Sequence, residues 1–297
     1  MYAVLGATGR VGGAAVRELR RRGLDVRAVV RDSATAKELA AAGCEIAMAD
    51  LHDGAAVRAA LAGASGVHVI LPMNGTAPDG LADAESMIAA IGDAIAHARL
   101  QQVVAISDYG AHNATGIGLT MIWRRLEQRL RTIPVATTVL RSAEHMQSWS
   151  GALRIAIGGG VVPLLHQPLT KTLPTVSAPD VGMIAAEILA APPGEPGVIR
   201  VVHVEGPRRY TVAEVVETIA ARVGHPVEAR ELPSEDWIPS LIARGLSESY
   251  ARLVAEMMGA NNAGRMDVEP GAGEIRRGTT TLTQAFADML GRERAGG

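Results

Sequence analysis

The chain has 297 residues, of which 48% are hydrophobic and 20% are charged, so its composition excludes a disordered protein. Lysine and arginine number 29 against 31 aspartate and glutamate, which indicates neither nucleic acid nor an anionic membrane as a partner. The single cysteine, Cys44, excludes an intramolecular disulfide and a cysteine-rich zinc site, and no apolar stretch reaches membrane-spanning length. Residues 1–5 lead directly into the fold without a signal peptide. We expect a cytoplasmic protein, as a monomer or a homodimer.

Strands and helices alternate through the first half of the chain. Short apolar runs rich in β-branched residues predict the strands, and apolar residues at helical spacing predict the helices between them. The predicted strands are 2–5, 25–30, 44–49, 66–71, 102–107 and 135–140. The first predicted helix begins at Val11, and the others cover 34–42, 53–62, 80–98 and 118–131. This order predicts an α/β fold with a doubly wound parallel sheet over residues 1–140.

The alternation changes after residue 140, and we expect residues 141–297 to form a smaller lobe above the carboxyl ends of the strands. The run 175–193 predicts a strand end, a helix capped by Ser177 or Asp180 and a proline stop, and 198–206 predicts a strand. Segments near 175–206 are expected to rejoin the first domain. A helix over 211–224 has Thr211 as its N-cap, with Glu214 completing a capping box and Gly224 ending it. Residues 235–260 are predicted to be helical.

Residues 6–12, with the sequence GATGRVG, connect the first strand to the first helix. Glycine in such a turn allows positive φ and close approach of a ligand, and a helix amino terminus attracts phosphate. The spacing is G-x-x-G-x-x-G, one residue longer in its first half than the dinucleotide fingerprint G-x-G-x-x-G. The position between strand and helix nevertheless favours a dinucleotide site over an ordinary glycine-rich turn. Its candidate residues are Gly6, Thr8, Gly9, Arg10, Val11 and Gly12.

The ends of the second and third strands supply candidates for the adenosine half of the dinucleotide. Arg31 ends the second strand, where an arginine pairs with the 2′-phosphate of NADP and an acidic residue would hold the ribose of NAD. NADP(H) is therefore favoured over NAD(H), with a merely solvated Arg31 as the alternative. Asp50 is placed to accept from an adenine amino group while Leu51 packs against the ring. Asp53 serves equally well as the cap of the next helix.

The ends of the fourth and fifth strands are predicted to face the nicotinamide half. Leu71 and Pro72 end the fourth strand, since proline lacks the donor that a strand ladder needs. Ser107 and Tyr109 follow at the end of the fifth strand, which is the place where chemistry is expected. The eight histidines are scattered without a metal-ligand spacing, so no metal site is predicted.

Together these segments resemble the NmrA-like branch of atypical short-chain dehydrogenases. The resemblance lies in the turn at 6–12, Arg31, Asp50-Leu51, Ser107 and the run 124–141, and it continues through 175–189 and 202–220. It covers nearly the whole chain and implies a Rossmann-type domain with a smaller carboxyl-terminal lobe. Within the branch the chain is most similar to NADPH-dependent quinone oxidoreductases and triphenylmethane reductases. The resemblance implies reduction of a quinone or a similar conjugated aromatic acceptor.

The acid–base pair of orthodox short-chain dehydrogenases is absent. Those enzymes use Tyr-x-x-x-Lys, whereas Tyr109 is followed four residues later by Asn113. The position at which many relatives carry a lysine holds Arg124, which can bind the cofactor but is a poor general acid. Two hypotheses follow: a reductase whose acceptor needs little proton assistance, and a non-enzymatic redox sensor that binds NADP(H).

A reductase, unlike a sensor, needs an open pocket above the nicotinamide. We expect His145, Met146, Trp149 and Trp237 to line this pocket, since an aromatic acceptor prefers apolar walls. The alternatives are that Met146 belongs to the core and that His145 is a packed histidine. The candidate catalytic residues are Ser107, Tyr109, Arg124 and His145.

Overall fold

The structure is a computed structural model that describes residues 1–32 and 36–295. Its first half alternates strands and helices as predicted. These elements are β1 (Tyr2–Val4), α1 (Arg10–Arg21), β2 (Val26–Val30), α2 (Ala36–Ala41), β3 (Glu45–Met48), α3 (Gly54–Leu61), β4 (Gly66–Val69), α4 (Gly80–His97), β5 (Gln102–Asp108), α5 (Met121–Arg131) and β6 (Ala136–Ser142). The first two residues of the helix predicted over 34–42 lie outside the described residues.

The second half contains mostly short strands, with helices of 8 to 15 residues. Its elements are β7 (Glu144–His145), α6 (Ser150–Ile157), β8 (Val161–Leu164), β9 (Thr172–Leu173), β10 (Thr175–Val176), α7 (Ala178–Ala190), β11 (Ile199–Glu205), β12 (Tyr210–Thr211), α8 (Val212–Val223), β13 (Glu228–Glu231), α9 (Ser234–Ala243), α10 (Glu248–Asn262), β14 (Ile275–Arg277) and α11 (Leu282–Ala295). Single 3₁₀ turns precede α5 and α6, at Gly118–Thr120 and Met146–Trp149.

An eight-stranded parallel sheet forms the centre of the molecule, in the order β14-β11-β6-β5-β4-β1-β2-β3. Its central strands, such as β4 and β5, are buried on both faces, because helices cover both sides of the sheet, whereas the edge strands β3 and β14 are partly exposed. One core lies between the sheet and α3, α4 and α5, and a second lies between the sheet and α1 and α7. The strand order reverses between β1 and β4, which is where open α/β sheets bind ligands at the carboxyl ends of their strands. The predicted doubly wound fold is thus confirmed.

The smaller lobe is built from α6, α8, α11 and three two-stranded pairings. The helix predicted over 211–224 has its expected ends: Thr211 and Glu214 form the capping box, and Gly224 has a φ of +85°. Strands β11 and β14 extend the main sheet beside β6, so strands from both sides of residue 140 share one sheet. The division of the chain near residue 140 stays a prediction.

Three details differ from the sequence-based expectation. The helical stretch over 235–260 is two helices, since the chain turns at Gly245, where φ is +93°. Asp180 does not cap α7; Ser177 is the N-cap residue, and the Asp180 carboxylate accepts hydrogen bonds from the backbone and hydroxyl of Thr280. The region after Gly264 contains β14 and α11, which were not predicted because their apolar residues form no clear strand or helix pattern in the sequence. Among the described helices, none combines the length and apolar character that crossing a bilayer requires.

Candidate functional site

The glycine turn lies at the amino terminus of α1 and is closely packed. Gly6 has a φ of +64°, and a Cβ at Gly12 would lie only 2.2 Å from the carbonyl oxygen of Gly6. Gly9 is the N-cap residue of α1, and no side chain caps the helix or places an acidic group in its first turn. The first backbone N–H groups of α1 are therefore open to an anion, and the turn fits the diphosphate of a dinucleotide.

A cavity of about 630 Å³ opens beside this turn. Thr8, Gly9 and Arg10 form one wall, and Gln147 and Ser150 from the smaller lobe form part of the other. The side chain of Val11 is buried in the core beneath the turn, so only its backbone can face a ligand. Three of the six predicted diphosphate-binding residues, Thr8, Gly9 and Arg10, therefore line this cavity.

The predicted adenosine-binding residues lie at the ends of β2 and β3. Arg31 is exposed just beyond β2, and Leu51 is buried. Asp50 Oδ1 accepts hydrogen bonds from the backbone N–H and Nδ1 of His52, each at 3.0 Å. These bonds, with a smaller effect from the charge of Arg31, lower the pKa of Asp50. Asp53 accepts hydrogen bonds from the backbone N–H groups of residues 55 and 56 and caps α3, which was one of the two roles the sequence allowed for it.

A second cavity, of about 470 Å³, lies at the carboxyl ends of β4, β5 and β6. Its apolar walls include Ile70, Leu71, Ile106, Trp123, Met257 and Met258, of which the last two belong to α10. Ile70 also contacts the glycine turn, since its Cγ2 lies 2.7 Å from the position of a Cβ on Gly6. The acceptor cavity, as we call this second cavity, therefore adjoins the diphosphate turn and fits a flat conjugated molecule. Pro72 is exposed and does not line it.

Ser107 and Tyr109 line the acceptor cavity, but their hydroxyl protons are already engaged. Ser107 Oγ donates to Glu127 Oε1 at 2.7 Å, and the Tyr109 hydroxyl donates to Glu205 Oε1 at 3.1 Å. Burial raises the pKa of Tyr109, and the charge of Glu205 raises it further. Neither group is therefore a ready proton donor at neutral pH.

His145 also lines the acceptor cavity and lies half-buried at the end of β7. Its Nε2 lies 3.1 Å from Ser142 Oγ. Burial lowers the pKa of His145 to about 4, so the imidazole is neutral at pH 7. It can form a hydrogen bond to an acceptor molecule without carrying a positive charge into the cavity.

Four predicted site residues lie elsewhere. Arg124 Nη1 donates to the backbone oxygens of residues 111 and 112, so it holds the loop after β5 and does not line the acceptor cavity. Met146 and Trp149 pack in the core of the smaller lobe, where Trp149 stacks on His166. Trp237 packs between α9 and α10 and donates to a backbone oxygen. The last three were mistaken for pocket residues because an apolar side chain has the same signature in a core and in a pocket wall.

Two acidic residues that sequence reasoning missed lie on the wall of the acceptor cavity: Asp108, the last residue of β5, and Glu144 in β7. The available signal for Asp108 was its position, because it directly follows Ser107 at the carboxyl end of a strand whose middle residues are apolar. Among the described residues, no cluster of three or more His, Cys, Asp or Glu side chains is arranged to hold a metal.

The parallel sheet, its reversal of strand order and the glycine turn define a dinucleotide-binding α/β protein. The sequence profile of the NmrA-like family matches residues 2–277, and the chain belongs to that family. One relative, the NAD(P)H azoreductase of Xenophilus azovorans, is 27% identical over 260 residues, which are 86% of each chain. Quinone oxidoreductase 2 of Escherichia coli strain K12 is 23% identical over 98% of this chain and 99% of its own.

Solved structures share the fold. The NADPH complex of an NADPH-dependent quinone oxidoreductase from Escherichia coli superposes with a TM-score of 0.78 at 21% identity, covering 98% of this chain and 100% of the other. The NADP(H) complex of triphenylmethane reductase from Citrobacter sp. gives a TM-score of 0.77 at 19% identity, with 97% and 99% covered. These likenesses extend over both the sheet and the smaller lobe.

Proposed function

We propose that the protein is an NADPH-dependent reductase that transfers hydride to a conjugated aromatic acceptor, such as a quinone or a dye. The observation that carries this proposal is the apolar acceptor cavity beside the glycine turn, at the carboxyl ends of β4, β5 and β6. Family relatives named NAD(P)H azoreductase and quinone oxidoreductase support the same chemistry. An open second cavity is also what a reductase needs and a sensor does not.

This chain's residues would hold the cofactor along the carboxyl edge of the sheet. The glycine turn would bind the diphosphate, and Arg31 would pair with the 2′-phosphate. Asp50 keeps Oδ2 for the adenine amino group, since both bonds from His52 go to Oδ1. Bound NADPH supplies the hydride. Leu71 and Ser107, on the cavity wall, would then border the nicotinamide.

The contribution of the protein to the reaction is mainly positioning. A quinone that has received a hydride is a stabilised anion, so its protonation need not limit the rate. The apolar walls exclude water and orient the ring, and the neutral His145 adds a hydrogen bond. This account fits a site in which Ser107 and Tyr109 donate to buried carboxylates.

The direct test is NADPH oxidation by the purified protein with a benzoquinone, an azo dye and a cationic triphenylmethane dye. We expect turnover with at least one of these acceptors. NADPH binding measured by fluorescence, without turnover of any acceptor, would overturn the proposal and favour the redox sensor. The absence of NADPH binding would exclude both.

Replacing Arg31 by alanine is expected to weaken NADPH binding by about 10- to 100-fold, because a charge-assisted contact to the 2′-phosphate contributes about 1.5–3 kcal/mol. NADH, which lacks that phosphate, should lose much less. Fluorescence titration with both cofactors measures the difference. The matched control is Arg58→Ala, at an exposed position of α3. Equal losses for NADPH and NADH in the Arg31 variant would contradict the assignment.

Tyr109→Phe and His145→Ala are each expected to lower kcat with a quinone by no more than about tenfold, far below the 10²–10⁴-fold typical of lost general acid catalysis. The reason is that the tyrosine donates to Glu205 and the histidine is neutral. Steady-state rates from about pH 6 to about pH 9 provide the measurement. Tyr2→Phe, at the opposite end of the sheet, is the matched control. A thousandfold loss in Tyr109→Phe with unchanged NADPH affinity would reveal a proton relay through this tyrosine.

A further inference from the structure

Asp108 is a protonatable group of the acceptor cavity that the mechanism above does not use. It is the last residue of β5 and lies on the cavity wall, partly open to the cavity. Its Oδ2 accepts a hydrogen bond of 2.5 Å from the hydroxyl of Thr120, which is itself fully buried. Thr120 lies on the 3₁₀ turn before α5, so the fold holds the carboxyl group in one orientation.

Among the described residues, none pairs this carboxyl group with a positive charge. Two other buried carboxylates near the cavity are paired with arginine: Glu127 with Arg141, and Glu205 with Arg209 and Arg277. Within the described parts of the chain, Asp108 forms no ion pair, and no lysine or arginine lines the acceptor cavity.

The groups that face Asp108 across the cavity are neutral or negative. Strand β7 contributes Glu144, whose Oε2 bonds to His166 Nε2 at 3.0 Å, and the neutral His145. The ends of β5 and β6 contribute the hydroxyl groups of Tyr109 and Ser142. Every other residue of the cavity wall has an uncharged side chain, among them Leu119, Trp123, Val254, Met257, Met258 and Asn261.

We propose that Asp108 is the proton donor for acceptors whose reduced form is a strong base, above all the azo group. The inference rests on the proposed reductase function. The acceptor gains a hydride from NADPH at one nitrogen of the N=N bond, whose π bond breaks as an N–H bond forms. The other nitrogen, left with the electron pair, takes the proton of the Asp108 carboxylic acid to complete the hydrazo product. NADP⁺ and the Asp108 carboxylate remain, and a proton from water restores the acid.

The protonation state of Asp108 fits this role. The pKa of Asp108 is raised to about 7, mainly by burial; the negative charge of Glu144 adds to this rise, and the hydrogen bonds from the Thr120 hydroxyl and the Tyr109 backbone oppose it. Asp108 therefore titrates near neutral pH, and deprotonation disables the donor as the pH rises. An acid whose pKa is near the working pH is protonated in part of the molecules and also gives up its proton readily.

The test compares the wild type with Asp108→Asn on two dyes. Reduction of an azo dye should fall by about 10²-fold in the variant, because the amide cannot supply the proton. For a cationic triphenylmethane dye the loss of kcat should be much smaller than for the azo dye, because a hydride alone converts that cation to its neutral product, with no proton needed. The KM for this dye is expected to rise, since asparagine removes a carboxylate charge from the cavity wall. Asparagine keeps the shape of aspartate and an oxygen for Thr120, and equal NADPH affinity would confirm that the site remains intact.

Two further readouts separate proton donation from a structural role. The rate at which the wild type reduces the azo dye should fall above about pH 7, and Asp108→Asn should not show this fall. In Glu144→Gln the fall should begin at lower pH, because removal of a nearby negative charge lowers the pKa of Asp108. Infrared titration of the cofactor-free protein should show a protonated carboxyl band that disappears near this pH in the wild type and is missing in Asp108→Asn.

Several outcomes would overturn the inference. Equal losses for both dyes would show a structural role, and equal azo rates in wild type and variant would exclude proton donation. Reduction of the cationic dye but not of the azo dye by the wild type would also overturn the proposal, since Asp108 would then have no azo group to protonate. A wild type that binds NADPH but reduces neither dye nor a quinone would instead overturn the proposed reductase function itself.

Discussion

Replacing Gly12 by alanine is expected to lower the affinity for NADPH by about 100-fold, equivalent to about 2.7 kcal/mol of binding free energy. A Cβ at this position would lie 2.2 Å from the carbonyl oxygen of Gly6 and 2.8 Å from its carbonyl carbon. Both atoms belong to the backbone, so no side chain can move aside and the turn itself must shift. The N–H groups at the start of α1 would then no longer converge on the diphosphate.

Fluorescence titration with NADPH measures this effect, and circular dichroism monitors folding. The matched control is Gly151→Ala in α6, where an added Cβ would meet no atom within 4 Å. Both substitutions place alanine in a helix, which favours helix formation by up to about 1 kcal/mol, so only the collision distinguishes them. A folded Gly12→Ala protein with the affinity of the wild type would exclude the glycine turn as the diphosphate site.

Replacing Arg141 by methionine is expected to lower the free energy of unfolding by about 3–5 kcal/mol. Arg141 and Glu127 are both buried, each with a side chain no more than 4% exposed, and Arg141 donates two hydrogen bonds to Glu127, at 2.8 and 2.9 Å. Methionine keeps most of the apolar stem but leaves the Glu127 carboxylate buried without its cation. Arg141 also donates to Glu269, so the segment leading to β14 loses a contact as well.

Urea unfolding of the variant and the wild type gives this free-energy difference. Arg252→Met is the matched control, since Arg252 pairs with Glu248 on the surface of α10 and its side chain is 64% exposed. An exposed pair of this kind contributes about 0.5 kcal/mol or less. A difference of under about 1 kcal/mol between the two variants would show that the buried pair adds little to stability.

The buried pair also has a consequence for the site. Glu127 Oε1 accepts from both Ser107 Oγ and Arg141 Nε, so the orientation of Ser107 depends on the charge and position of Glu127. Neither Glu127 nor Arg141 lines the acceptor cavity, so the pair bears on the cavity wall through Ser107.

The sequence by itself determined the order of strands and helices over residues 1–140, the glycine turn and the capping box of Thr211 and Glu214. These features depend on local physical chemistry: hydrophobic periodicity, the backbone freedom of glycine and hydrogen bonds across three residues. Gly245, which ends α9 with positive φ, follows the same chemistry but was hidden within a long helical pattern.

Only the tertiary structure decided which side chains line the acceptor cavity. Met146 and Trp149 belong to the lobe core, while Met257 and Met258 of α10 reach the cavity from more than 100 residues further along the chain. Of the buried carboxylates near the cavity, Glu127 pairs with Arg141 and Glu205 with Arg209, whereas Asp108 forms no ion pair with any residue that the structure describes. Burial and charge pairing depend on contacts between segments that are distant in the sequence, and a local pattern of residues does not predict those contacts.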